Sequence, residues 1–341
     1  MNRDLAISPR CHRQRGFTLV EILVSLAISL ALVAGVVQIF MSSKITYSVQ
    51  EGMSRLQENA RFAINLLASD LRMANYLGCA QKSDDAAAYR NVLNTPNSFL
   101  WDVTTGIEGF EVGETVDPAV VDASALADSD VLSIKTVRGA GLTLTKSMSS
   151  STDADLEVTE SGYHVPKTGD VVLISDCMST TVFQVTGYSG GIVKHATTGT
   201  PGNATADLGR RFRIGAKIYP IETVTYYLRD SGSGSGAALW RRVDDGNPEE
   251  LVEGIENMQI TYAVDDDNQA GTDQYVTADA VDDWDDVVAI RVAMLMRTPD
   301  EVNNQADTGT YTVNGTAYDP VDDRRLRRVF DTTINLRNRT F

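Results

Sequence analysis

The first 78 residues carry two hydrophobic patterns in succession. Phe17 to Met41 is a nearly continuous apolar block, interrupted by one carboxylate, Glu21. A run of about 20 such residues is enough to cross a bilayer as a helix. A lone ionisable group inside it is costly and marks a functional position. Beyond Met41 the apolar positions thin out but keep helical spacing. Ile45, Val49, Met53, Leu56, Ala60, Ala63, Leu67, Leu71 and Ala74 step by threes and fours, forming one stripe. Lys44, Glu51, Arg55, Glu58, Arg61, Asp70 and Arg72 take the other faces. No proline lies between Phe17 and Leu77. The pattern predicts one helix from about Phe17 to Leu77, capped by Gly78. At 1.5 Å per residue it would be roughly 90 Å long.

After Gly78 the composition shifts toward Asp, Thr, Ser, Gly and Val. Strand-like runs cover Val131–Val137, Leu142–Thr145, Asp170–Ser175, Thr181–Thr186, Thr223–Arg229, Leu239–Val243, Asn257–Val264, Val287–Met296 and Val329–Leu336. Gly and Asp clusters separate them. The alternation Ser231-Gly232-Ser233-Gly234-Ser235-Gly236 lies between two of these runs. It reads as a flexible hairpin loop rather than a domain linker. The only further helical stretch expected is a short one near Asp84–Arg90. The fold class is α+β: a long N-terminal helix packed by its second half on an antiparallel β-rich head.

The block is preceded by Arg13-Gln14-Arg15-Gly16 and opens as Phe17-Thr18-Leu19-Val20-Glu21. This order of basic leader, Gly, Phe, Thr-Leu-x-Glu and apolar run resembles the class III signal of type IV pilins and pseudopilins. The resemblance implies that a prepilin peptidase cuts after Gly16 and that Phe17 becomes an N-methylated N-terminus. It also implies that Glu21, fifth in the mature chain, guides packing into a fibre. A secretory signal peptide would need a shorter core and a small-x-small cut site, which Ala31–Gly35 offers only weakly. A plain signal anchor leaves Glu21 unexplained. The chain then divides into a cleaved leader (1–16), a transmembrane and assembly half of the helix (17–41), an amphipathic half (42–78) and a head (79–341).

Segments in the head narrow the resemblance to the PilW family of minor pilins. They are Leu71-Arg72-Met73-Ala74-Asn75-Tyr76-Leu77-Gly78-Cys79, Asp130-Val131-Leu132, and Gly169-Asp170-Val171-Val172-Leu173-Ile174-Ser175-Asp176-Cys177. Trp284-Asp285-Asp286-Val287-Val288-Ala289-Ile290-Arg291-Val292 and Asn335-Leu336-Arg337-Asn338-Arg339 complete the set. The resemblance implies a minor pilin that primes type IV pilus assembly from the inner membrane and sits at the pilus tip. Its implied partners are the prepilin peptidase, the inner-membrane assembly platform, other minor pilins, the major pilin and a large tip adhesin. A type II secretion pseudopilin shares the same logic. A membrane-anchored periplasmic binding module is the alternative of a different class.

Charge and cysteines fit that setting. The net charge is −16, and loss of residues 1–16 leaves 26 Lys/Arg against 45 Asp/Glu, a net −19. Such a body repels nucleic acid and anionic lipid over most of its surface. The basic leader stays cytoplasmic under the positive-inside rule, which sends the head to the periplasm of a Gram-negative cell and then to the cell surface. Of three cysteines, Cys11 lies in the leader. Cys79 and Cys177 remain as one even pair in an oxidising compartment. A bridge between them would close a loop of roughly 100 residues, contributing up to about 4–5 kcal/mol in the chain-entropy model.

Other candidate chemistry is thin. Asp265, Asp267 and Asp273 lie in an acidic stretch with the flavour of a calcium loop. The EF-hand frame fails there, because Ala270 and Thr277 stand where oxygen ligands are needed. A solvated acidic turn is the better reading, with an irregular calcium site, aided by Asp282, Asp283, Asp285 and Asp286, as the alternative. Arg324, Arg325, Arg327, Arg328, Arg337 and Arg339 form a basic C-terminal patch close to Asp319, Asp322, Asp323 and Asp331. Ion pairing is expected of it, and nucleic-acid binding is not. No nucleophile elbow, metalloprotease helix or phosphate loop is present, and His164 and His195 are the only histidines outside the leader. The chain is therefore read as no enzyme, with no cofactor.

Overall fold

A computed structural model describes residues 16–76, 89–111, 113, 116, 120–121, 124–159, 165–234, 236–265 and 274–338. The chain divides into two units, Met1–Glu51 and Gly52–Phe341. One helix, α1 (Leu19–Leu71), contributes to both. In the first unit every residue from 16 to 44 is exposed. The apolar block therefore has no partner within its own unit.

In the second unit α1 buries Gly52, Leu56, Ala60, Ala63, Leu67, Ala68 and Leu71. Leu56, Ala60, Ala63, Leu67 and Leu71 are stripe positions, joined by Gly52 and Ala68 beside them, and the small residues among them let the helix lie close on the sheets beneath. The strands are, in chain order, β1 (Tyr89–Asn91), β2 (Ile107–Phe110), β3 (Val131–Val137), β4 (Leu142–Thr143), β5 (Asp155–Glu157) and β6 (Val171–Ser175). Next come β7 (Thr180–Gln184), β8 (Gly187–Ser189), β9 (Ile192–Lys194), β10 (Lys217–Asp230), β11 (Ala237–Val243) and β12 (Glu249–Glu253). The chain continues with β13 (Ile255–Val264), β14 (Gln274–Val276), β15 (Val287–Arg297), β16 (Tyr311–Val313), β17 (Thr316–Tyr318) and β18 (Arg327–Asn335).

The largest sheet has nine strands and is organised by the 14-residue β10. The start of β10 pairs with β4 and β6, and its later part pairs with β3 and β11. One strand thus joins two half-sheets. A four-stranded sheet runs β14-β13-β15-β18. Side chains from α1 meet both sheets in one core, including Leu56, Leu67, Leu71, Leu132, Tyr226, Met258, Tyr262 and Val292. A second core under β4, β6 and β7 gathers Val172, Ile174, Phe183, Leu208 and Phe212.

Each strand-like run expected from the sequence holds a strand, with bounds shifted by a few residues. Asp230 and Ala237 pair across the Ser/Gly stretch, which closes an antiparallel hairpin as expected. Two expectations are corrected. The α-helix stops at Leu71 rather than near Leu77. Asn75 takes the left-handed conformation, φ 61°, that ends helices and that Asn tolerates. Its N–H donates to Lys135 O at 3.1 Å, and Thr136 Oγ1 donates to Met73 O at 3.0 Å. Asn338 Nδ2 donates to Ala74 O at 2.8 Å, so strand β3 and the C-terminal segment take up groups a longer helix would have used. Gly106 makes this approach possible, because a Cβ there would sit 2.4 Å from Asn75 Cβ. The second correction is at Tyr89 and Arg90, expected at the end of a short helix and found, with Asn91, as a parallel edge strand against β7. Gly78 and residues 84–88 of that expectation lie outside the described residues.

Candidate assembly site

Gly16 and Phe17 precede the helix outside any regular element, and Phe17 is 79% exposed. Thr18 is the N-cap. Its Oγ1 accepts from Glu21 N at 3.3 Å, while Glu21 Oε2 accepts from Thr18 N at 3.5 Å. This is a reciprocal capping box, Thr-x-x-Glu, which satisfies two of the helix's unpaired N–H groups. The carboxylate also lies at the positive end of the helix dipole. The box was visible in the sequence as Thr18-Leu19-Val20-Glu21. The second Glu21–Thr18 contact is at the outer limit of a hydrogen bond, so the carboxylate is only loosely engaged.

Downstream, α1 is the one helix among the described residues long and apolar enough to span a membrane. Ser25 and Ser29 return their hydroxyls to the carbonyls of Glu21 and Ser25, four residues back, at 2.7 and 2.8 Å. The two serine hydroxyls of this stretch are thereby satisfied within the helix itself, which lowers the cost of placing them in an apolar setting.

In the second unit the helix is seated by packing and by one strong polar contact. Tyr226 Oη donates to Asp70 Oδ2 at 2.6 Å. Burial pushes the Asp70 carboxyl above the usual range, with the Tyr226 hydrogen bond opposing it. Burial and the Asp70 charge push the Tyr226 phenol far up, so it stays a donor. A Cβ at Gly52 would meet Thr298 Cγ2 at 3.0 Å and Val302 Cγ1 at 3.3 Å. The 298–302 strap therefore lies against the helix backbone.

That strap is held by a buried ion cluster. Arg327, whose side chain is 0% exposed, donates from Nε to Glu256 Oε2 at 2.7 Å and from Nη2 to Glu256 Oε1 at 3.1 Å. Its Nη1 lies 2.7 Å from Asp323 Oδ1. Arg297 Nη1 contacts Glu256 Oε1 at 2.8 Å, and Arg325 Nη1 donates to Thr298 O at 2.8 Å. Burial works to raise the Asp323 carboxyl, but its hydrogen bonds from Arg327 and the Arg325 N–H hold it below the usual range. Of the basic C-terminal patch, Arg325 and Arg327 are thus taken up by pairing, Arg324 is bound to Glu301, and Arg328 lies over the Phe330 ring. The partners were only partly foreseen: Asp323 was, whereas Glu256 and Glu301 are far away in the chain.

Cys177 follows β6 in a turn with φ 66°. Cys11 and Cys79 lie outside the described residues, as do Asp267, Asp273, His164 and Arg339. Asp265 donates its N–H to Asp286 O at 3.0 Å, and Asp283 Oδ1 accepts from Asp285 N at 2.8 Å. Among the described residues no group of three or more His, Cys, Asp or Glu is arranged to hold a metal. His195 is buried just after β9, its Nε2 within 2.7 Å of Asp153 O, and burial lowers its pKa. It is a packing residue at a strand end.

Two family models match. The prokaryotic N-terminal methylation motif covers residues 11–37, and Type IV Pilus-assembly protein W covers residues 225–338. The second match spans the later part of β10, the hairpin, the four-stranded sheet and the ion cluster. No curated protein matches the chain. Among solved structures, the type IV-like pilin TTHA1219 from Thermus thermophilus matches with a TM-score of 0.31 and 12% identity. That alignment covers 83% of this chain and 96% of the other.

Proposed function

We propose that this chain, a PilW-type class III prepilin and a type IV minor pilin, joins other minor pilins in a complex that primes pilus assembly and stays at the tip. Its role is structural, and it has no turnover of its own. The observation that carries the reading is the bare apolar half of α1, exposed on every side from residue 16 to 44 and opened by Gly16, Phe17 and Glu21. An apolar cylinder of that kind is stable only in lipid or against other helices. The prepilin stage uses the first and the fibre uses the second. Cleavage after Gly16 by the prepilin peptidase and methylation of Phe17 would convert one into the other. In the prepilin the head would face the periplasm, by the charge of the leader.

Glu21 supplies register. In the isolated chain its carboxylate is only loosely held by Thr18. In a bundle it would accept the N-terminal ammonium of a neighbouring pilin, an attraction strengthened by the low dielectric. Only one axial stagger brings the two groups together. Once the leader is lost, Cys177, just after β6, would pair with Cys79 in the oxidising compartment, tying the segment that follows the helix to β6.

The test compares Glu21→Ala, Glu21→Gln and Thr18→Ala. The readouts are co-purification with the other minor pilins and a count of surface pili. Thr18→Ala removes the cap, a loss of about 0.5–2 kcal/mol in helix stability, but keeps the carboxylate. We expect normal assembly from Thr18→Ala and poor assembly from both Glu21 variants, with leader cleavage intact in all. If Thr18→Ala fails as badly as Glu21→Ala, or if both Glu21 variants assemble normally, Glu21 is a helix cap and not a register device.

A further inference from the structure

A cleft of about 430 Å³ opens beside the edge strand β1, between β7 and the loop 207–210. Pockets that hold small ligands run from roughly 300 to 1,000 Å³. Arg90 enters it from β1, where it pairs opposite Thr181 of β7. Ser179, Thr181, Gly209 and Arg210 line the same space.

The arginines are placed by local chemistry. Gly209 has φ 83°, and a Cβ on it would fall 2.7 Å from Arg90 Cδ. Glycine is needed there on both counts, and its absence of a side chain lets the Arg90 stem lie across the loop. Asp207 shapes the turn by accepting from Gly209 N at 2.9 Å. Arg90 itself makes no hydrogen bond or ion pair among the described residues, so its planar fork of donors is unspent. Arg210 is held from behind, with Nη2 3.3 Å from Asp176 Oδ2 and Nη1 donating to Ser179 Oγ at 3.3 Å. Thr181 spends its hydroxyl proton on Leu208 O at 2.9 Å, which leaves the oxygen as an acceptor.

Two guanidiniums border the cleft; Asp176 pairs with Arg210 and Asp207 lies within reach of the Arg90 charge, so it is the Arg90 donor fork, free of hydrogen bonds, that favours an anion there in a chain of net charge −16. A bare carboxylate or phosphate would fill only part of the volume, since a water molecule's share is about 30 Å³. The remaining wall mixes the edges of the largely buried Ser179 and Thr181 hydroxyls with Tyr89 and Leu208, a combination of polar and apolar surface that suits a hydroxylated ring. We propose that the cleft binds a hydroxylated carboxylic acid of monosaccharide size, a sugar acid. Arg90 and Arg210 would hold its carboxylate, and Ser179 and Thr181 would meet its hydroxyls. Nothing in this depends on the role of the helix in assembly.

The test uses the mature full-length protein in detergent, with saturation-transfer NMR and calorimetry. The probes are galacturonate, its neutral counterpart galactose, and inorganic phosphate. We expect saturable binding of galacturonate, with galactose and phosphate each at least about tenfold weaker, the loss expected when a charge-assisted contact or the hydroxyl contacts are removed. Arg90→Gln should weaken galacturonate by about tenfold, and Arg90→Lys, which keeps the charge but not the fork, by nearly as much. Arg328→Gln, on the far β18, should change nothing. The proposal is overturned by absence of saturable galacturonate binding, by galactose or phosphate binding equally well, or by Arg328→Gln matching Arg90→Gln. Circular dichroism on each variant confirms that binding is compared between folded proteins.

Discussion

Replacing Arg327 by Met tests whether the buried ion cluster holds the head together. The substitution keeps much of the stem and removes the guanidinium. It breaks both bonds to Glu256, at 2.7 and 3.1 Å, the bond to Asp323 at 2.7 Å and one to Val321 O at 3.2 Å. The damage is uneven. Asp323 keeps Arg325, at 3.3 Å, and has some contact with solvent. Glu256 keeps Arg297 on Oε1, but Oε2 loses its arginine within a side chain only 8% exposed. Breaking a buried pair by removing one partner costs about 3–5 kcal/mol. The surviving Arg297 contact argues for the lower end, about 3 kcal/mol. Neutralising the abandoned group should recover part of this, so Arg327→Met with Glu256→Gln should cost less than the two single changes added, by about 1 kcal/mol or more. The assay is urea unfolding of the mature protein in detergent, followed by the fluorescence of Trp101, Trp240 and Trp284. A cost below about 1 kcal/mol for Arg327→Met, or strict additivity in the double variant, would refute the claim that an uncompensated Glu256 is what destabilises.

Further predictions follow from other sites. Gly52→Val should loosen the seat of the helix by about 1–3 kcal/mol through overpacking, because Thr298 and Val302 already stand 3.0 and 3.3 Å from where its Cβ would lie; the same urea assay checks it, and an unchanged midpoint would contradict the contact. Burial pushes the Asp244 carboxyl up to about 7, although its oxygen accepts from Thr223 N at 2.8 Å. A carboxyl raised in the folded state favours folding most below its unfolded value of 3.8 and loses that favour as pH rises toward 7. Asp244→Asn keeps the acceptor and tolerates the positive φ. It should therefore stabilise the protein at pH 8 by about 1–3 kcal/mol and leave it unchanged at pH 3; equal effects at both pH values would sink the assignment. Peptide mapping of the mature protein without reductant should recover Cys79 joined to Cys177, and recovery of both as free thiols would end that pairing.

What the sequence determined is what near neighbours decide. The apolar block, the stripe through Leu56, Ala60, Ala63, Leu67 and Leu71, and the alternating runs between glycines all depend on periods of two or 3.6 residues. They located the helix, the main strands and the Gly16–Glu21 segment without help from the fold. The weak points were places where a distant partner decides. The helix ends at Leu71 because Asn75 finds Lys135 O and Ala74 O finds Asn338, 264 residues away. Strands such as β8, β9 and β16 are three residues long, too short for any periodicity to declare them, and exist only through their neighbours' hydrogen bonds. The arginines near the C-terminus were legible as a charged patch. That Arg327 is buried on Glu256, 71 residues earlier, was decided by the pairing of β13 and β18 with β15. The cleft at Arg90 is likewise made of a strand and a loop more than a hundred positions apart, brought together because β1 found the open edge of β7. Local chemistry chooses the elements, but which polar groups are removed from water, and therefore which must be paired, is settled only when the sheets close over them.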